Sequence, residues 1–151
     1  MECEMALSEG KTANGKKEGY WITYYANGNK RSEGAYKKGI KYGKWTQYFK
    51  NGNISSEGHI ENGKYENWYV TYFENGHKKW EGDYGPHVGK SYDGRKEGEW
   101  TCYSATDGKT VWRTITYKHG TRTSPDKHPL GPCVRCDKPI HDPDTDRCPE
   151  C

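Results

Sequence analysis

At 151 residues, with hydrophobic and charged residues each at 30%, the chain cannot build a large aliphatic core, and no apolar run approaches the ~20 residues that span a bilayer. Its net charge of +3 comes from 24 basic and 21 acidic residues interspersed along the chain, a mixed surface without the basic stripe of a nucleic-acid footprint. Such a composition borders on disorder, but 13 Tyr and 6 Trp argue instead for a thin, aromatic core.

The first residues, Met1 to Glu9, carry neither a basic n-region nor an apolar h-region, so a cytoplasmic setting is expected. In that reducing compartment cysteines read as metal ligands before disulfides.

From Met5 onward the chain repeats itself. Ser8-Glu9-Gly10, Ser32-Glu33-Gly34 and Ser56-Glu57-Gly58 recur every 24 residues, and Trp80-Glu81-Gly82 continues the series. Between them lie Gly19-Tyr-Trp-Ile-Thr-Tyr-Tyr-Ala-Asn-Gly28, Gly43-Lys-Trp-Thr-Gln-Tyr-Phe-Lys-Asn-Gly52 and Asn67-Trp-Tyr-Val-Thr-Tyr-Phe-Glu-Asn-Gly76. Self-similarity at a fixed period is the signature of a repeat architecture. Each unit alternates with period 2 and is rich in strand-forming residues, which predicts a β-hairpin. Asn27-Gly28, Asn51-Gly52 and Asn75-Gly76 predict two-residue type I′ turns. A second glycine turn then leads into the next unit. The expected fold class is all-β: a single-layer antiparallel meander of eight or nine hairpin strands, with a small separate module behind it.

Stacking the units places like residues side by side. One face collects Trp21, Trp45, Tyr69 and Trp100, with Tyr25, Phe49 and Phe73 further along, and is expected to be the core. The other carries Tyr24, Tyr48, Tyr72 and Tyr103, the candidate partner-binding platform. Gly85 to Asp93 interrupts the fourth unit with seven extra residues. Its Gly85-x-x-x-Gly89-Lys90-Ser91 is one residue short of a phosphate-binding loop and no helix-forming run follows, so a nucleotide site is not expected there. An insertion in a strict array marks a contact loop, with His87, Lys90 and Tyr92 as its candidate contacts.

Beyond Gly120 the composition shifts. Residues 5–120 read as the repeat array, 121–132 as a stiff proline-rich linker and 133–151 as a separate module. Cys133-Val-Arg-Cys136 and Cys148-Pro-Glu-Cys151 are paired knuckles 11 residues apart, the donor set of a tetrahedral four-thiolate Zn²⁺ site. Two disulfides or a rubredoxin-like iron site are the alternatives. A closed site of this kind is structural, because no ligand position is left for water. His141, in the loop between the knuckles, is a weaker ligand, and Cys3 and Cys102 have no partner pattern.

The unit Gly-x-Trp-x-x-Tyr-Tyr/Phe-x-Asn-Gly, five residues, Glu-Gly-x-Tyr resembles the MORN-repeat variant of the YwqK-like antitoxin family over about residues 5–120, and the tail looks like a zinc ribbon. The resemblance implies a non-enzymatic scaffold that binds a protein partner or, in some MORN proteins, acidic phospholipid headgroups. Tyr69 in place of Trp, Asn67 in place of Gly and the insertion depart from the pattern. No nucleophile with a base appears at a recognisable spacing, and Glu33, Glu57 and Glu81 recur too regularly for an acid–base pair. The expected function is therefore a cytoplasmic protein-binding scaffold that sequesters or inhibits its partner. Nucleic acid is disfavoured because acids outnumber bases in the tail. Acids interleaved with Lys37-Lys38, Lys78-Lys79 and Arg95-Lys96 disfavour a membrane surface. The open edges of a meander offer a route to homo-oligomers.

Overall fold

Period-2 alternation punctuated by glycine turns produces strands throughout. The computed structural model describes residues 8–85 and 94–123, and among them the chain is all-β, with no helix. The strands are β1 (Ser8–Ala13), β2 (Lys16–Tyr24), β3 (Lys30–Lys37), β4 (Ile40–Tyr48), β5 (Ile54–Glu61), β6 (Lys64–Tyr72), β7 (Lys78–Tyr84), β8 (Lys96–Tyr103), β9 (Val111–Lys118) and β10 (Thr121–Arg122). Each pairs antiparallel with its chain neighbours alone, giving one ten-stranded meander in the order β1 to β10. The count exceeds the expected eight or nine because the chain turns once more at His119-Gly120. Thr121 and Arg122 then pair with Lys118 and Tyr117, two residues into the stretch expected as linker.

The turns correct the sequence reading in one respect. Type I′ geometry needs positive φ at both central residues, and Asn27, Asn51 and Asn75 do not have it; only Gly28, Gly52 and Gly76 do. These loops are longer. Gly28 N–H donates to Tyr25 O, Tyr25 N–H to Asn29 O, and Asn29 N–H to Asn27 Oδ1, an Asx turn that the asparagine side chain closes. The paired positive φ values fall at the opposite end of the strands, at Asn14-Gly15, Lys38-Gly39, Asn62-Gly63 and His119-Gly120.

Two bulges per unit modify the alternation. The register shifts between Gly34 and Ala35 where they face β4, leaving Gly43, at φ 73°, and Lys44 without partners in β3; Asn67, at φ 60°, and Trp68 take the same places in β6. Asparagine tolerates the left-handed region, which is why it can replace glycine there. The second shift, between Thr23 and Tyr24, places Arg31 as an extra residue in β3. It brings Lys30 and Glu33 onto one face although they are three apart, which strict alternation forbids.

Among the described residues no second layer covers the sheet, so the core is one side chain thick. Trp21, Trp45 and Trp100 nonetheless retain only 8%, 3% and 2% exposure. They achieve this by lying flat over glycines of the preceding strand. A Cβ added to Gly34 would sit 2.4 Å from the Trp45 ring, and one on Gly82 would sit 2.5 Å from Trp100. Each indole N–H donates to a backbone carbonyl beside it, Trp21 to Lys11, Trp45 to Ala35 and Trp100 to Asp83. Ile60, Cys102 and Ile115 complete the buried apolar set.

Candidate functional site: the two faces of the sheet

On one face a tyrosine and a glutamate from successive units meet. Tyr24 Oη donates to Glu9 at 3.2 Å and Tyr72 Oη to Glu57 at 2.7 Å; Tyr48 and Tyr103 donate to Glu33 and Glu81 in the same way. A lysine closes each interior site: Lys30–Glu33 at 2.7 Å, Lys44–Glu57 at 2.7 Å and Lys78–Glu81 at 2.9 Å. In the second unit Ile54 stands where Lys30 and Lys78 stand in the others, and Lys44 of β4 supplies the charge instead. Burial alone would raise these carboxyls. For Glu33 the bonds from Lys30 and Tyr48 outweigh it, for Glu57 those from Lys44 and Tyr72, and for Glu81 those from Tyr103 and Lys78, so all three are held below the ordinary value. Burial and the adjacent carboxylate push Tyr48 and Tyr72 well up and Tyr103 to about 12.

The opposite face carries the indoles, and here the cations are arranged differently. Lys17 Nζ lies 4.4 Å from the Trp21 ring centre and 5.1 Å from Tyr36; Lys41 Nζ lies 4.1 Å from Trp45. Lys96 repeats the contact over Trp100 and Tyr117, and Arg113 lies over Trp80. Tyr36 stands edge-on between Trp21 and Trp45, with ring centres 6.3 and 5.1 Å away. In β6 the lysine position is taken by Tyr65, which packs on Tyr69 and Tyr84 and accepts a bond from Gln47. Beside it lies a concavity of about 430 Å³, lined among others by Phe49, Tyr69, Trp80, Tyr84 and Trp100. The carboxylates Glu33, Glu57 and Glu81 alternate with Gly34, Gly58 and Gly82 along their strands and so fall on the other face.

Along the long-loop end, Asn27 and Asn29 both donate to Lys50 O, Asn51 and Asn53 to Glu74 O, and Asn75 to Ala105 O, with His77 Nδ1 3.0 Å from that same carbonyl. The loops are stitched to one another and are not free arms.

Tyr24, Tyr48, Tyr72 and Tyr103 are therefore brought into one row on one face, half-buried, with every hydroxyl bonded to a carboxylate. More open on the same strands are Tyr20 (59% exposed) and Trp68 (38%). His87, Lys90, Tyr92, Cys133, Cys136, Cys148 and Cys151 lie outside the described residues, as does any zinc they hold. Among the described residues no group of three or more His, Cys, Asp or Glu is placed to hold a metal. The lysines over the indoles are the feature that sequence reasoning missed. Their signal was a lysine four residues before each of Trp21, Trp45 and Trp100, a series broken by Tyr65. No protein-family model matches the chain, and no curated protein matches it.

Proposed function

We propose that the chain is a non-enzymatic, cytoplasmic protein-binding scaffold that sequesters or inhibits a partner, in the manner of an antitoxin or immunity factor of the MORN-like type its repeats resemble. The observation that supports this reading is a ten-stranded sheet bearing rows of rings on both faces, with no second layer over either among the described residues. Its open aromatic side chains, among them Tyr20 at 59% and Trp68 at 38% exposure, offer rigid contact area at low entropic cost, the property that concentrates binding energy in protein interfaces. The carboxylates argue in the same direction. General acids need carboxyls held up near the working pH, whereas Glu33, Glu57 and Glu81 are held down by phenols and ammoniums. They act as struts between units.

The four C-terminal cysteines form an appended module in this reading, and their thiolates suit a structural Zn²⁺ that supplies the folding energy a short, apolar-poor segment lacks. Purification of the tagged full chain from its native cytoplasm tests the scaffold reading. One protein partner at fixed stoichiometry by light scattering is the expected result, and a monomer that recovers none contradicts it.

A further inference from the structure

Lysines are treated differently on the two faces of this sheet. Lys30, Lys44 and Lys78 each sit within 2.9 Å of a glutamate. Lys17 and Lys41 have no acidic partner among the described residues, and each lies instead over an indole. An ammonium over a ring gains from the ring quadrupole, but its charge is not neutralised. Burial, and then repulsion from Lys17, lower Lys41 below its ordinary value. Tyr36 of β3 lies between their strands, with Lys17 over its ring and Lys41 its backbone partner in β4, and β2 and β4 are two strands apart, about 9.6 Å between backbones at ~4.8 Å per strand.

Resting on the scaffold reading above, we propose that the Lys17–Tyr36–Lys41 strip is a docking site for an acidic, extended segment of a partner protein, whose carboxylates pair with the two ammoniums while its backbone lies along the tyrosine. The spacing suits such a segment. In a polyproline II chain, residues three apart lie on one side at about 9.3 Å, from ~3.1 Å per residue. Aromatic-lined surfaces take up that preformed conformation at low entropic cost.

Two other anionic partners fit less well. Single-stranded nucleic acid needs open ring faces for its bases, and here Trp21 and Trp45 are 8% and 3% exposed, with a lysine over each. A charged membrane surface is recognised by clusters of about four to eight basic residues, and this strip presents two.

The test uses the full chain and a labelled (Glu-Pro-Pro)4 peptide, with (Gln-Pro-Pro)4 as the neutral control. Substitution by Met keeps the apolar stem over the indole and removes the charge. The proposal expects one-to-one binding of the acidic peptide that weakens with salt. It expects K17M/K41M to lose at least tenfold in affinity while K50M/K109M, an equal charge reduction at exposed positions, loses less than twofold. An unchanged circular dichroism spectrum, with both variants fully folded at the assay temperature, excludes misfolding as the cause. Equal loss in the two variants, no binding at millimolar peptide, or equal binding of the neutral peptide overturns the site. So does failure of the peptide to bind when phosphatidylserine vesicles or a dT12 oligonucleotide bind in a Lys17- and Lys41-dependent way. If the native partner binds K17M/K41M as tightly as the unaltered chain, this location fails while the scaffold reading stands.

Discussion

Gly34→Ala isolates the device that lets a one-layer sheet bury tryptophan. Gly34 has no positive φ, so alanine is acceptable to its backbone, but the new Cβ meets the Trp45 ring at 2.4 Å. The indole must lift off the strand. A buried Trp hides about 150–250 Å²; exposing roughly 100 Å² of it at ~25 cal/mol per Å² costs about 2.5 kcal/mol. Replacing a strand glycine returns about 0.5 kcal/mol of backbone entropy, so the net loss is about 2 kcal/mol. Urea unfolding followed by circular dichroism measures it. In a Trp45→Leu background the obstacle is gone, and Gly34→Ala should then stabilise by about 0.5 kcal/mol, a coupling of about 2.5 kcal/mol between the two sites. Gly82→Ala should match it against Trp100, and Gly58→Ala should cost less because Tyr69 is smaller and 2.7 Å away. If Gly34→Ala costs the same with and without the indole, the ring-on-glycine account is wrong.

Stability should be flat across neutral pH and fall on both sides. Glu33, Glu57 and Glu81 lie below 4.5 in the folded chain, so their contribution is present above that pH and disappears as pH drops through their lowered values. Tyr48, Tyr72 and Tyr103 lie above 10.0, so theirs is present below pH 10 and is lost as pH rises towards about 12, the value for Tyr103. Urea midpoints from pH 2 to 12 check both limbs, and a midpoint unchanged to pH 12 contradicts the tyrosine–glutamate struts. Asn51→Ala removes the donor to Glu74 O and the acceptor of Asn53 N–H, and should cost about 1 kcal/mol by the same unfolding assay. On prolonged incubation at 37 °C, peptide mapping should find deamidation first at Asn14. The backbone nitrogens of Gly28, Gly52, Gly63 and Gly76, the nucleophiles for succinimide closure, are each bonded to a carbonyl, and that of Gly15 meets no carbonyl among the described residues. The full chain should carry one Zn²⁺ by elemental analysis, and Cys133→Ser should lose it without moving the unfolding midpoint of the sheet.

Much of the architecture was legible because every unit repeats its own evidence. The recurrence of Trp, Glu-Gly and Asn-Gly at 24-residue steps required hairpins in one sheet, and the division of Trp21 and Tyr24 between two faces followed from alternation. The turn type did not follow. Asn-Gly is compatible with type I′, but Asn27 closes a longer Asx loop, and the I′ positions include Lys38-Gly39 and His119-Gly120, which composition does not advertise. Bulges were invisible for a similar reason. They add one or two residues without changing residue type, so the partnership of Lys30 with Glu33 emerges only from the register. The tyrosine row was visible, whereas its tie to the glutamates was hidden in the constant 15-residue offset from Glu9 to Tyr24, Glu33 to Tyr48 and Glu57 to Tyr72. Lys17 and Lys41 escaped notice because charged residues at strand starts ordinarily belong to a solvated surface.

Hydroxyl-radical footprinting of the free full chain, read residue by residue by mass spectrometry, tests most directly whether one uncovered layer buries its own indoles. Trp68 and Tyr20 should oxidise rapidly, while Trp21, Trp45 and Trp100 stay protected. Uniform protection of Trp68 and Tyr20 would mean that something covers that face, and oxidation of Trp45 at the rate of Trp68 would mean that the rings do not lie on their glycines; either result contradicts the account.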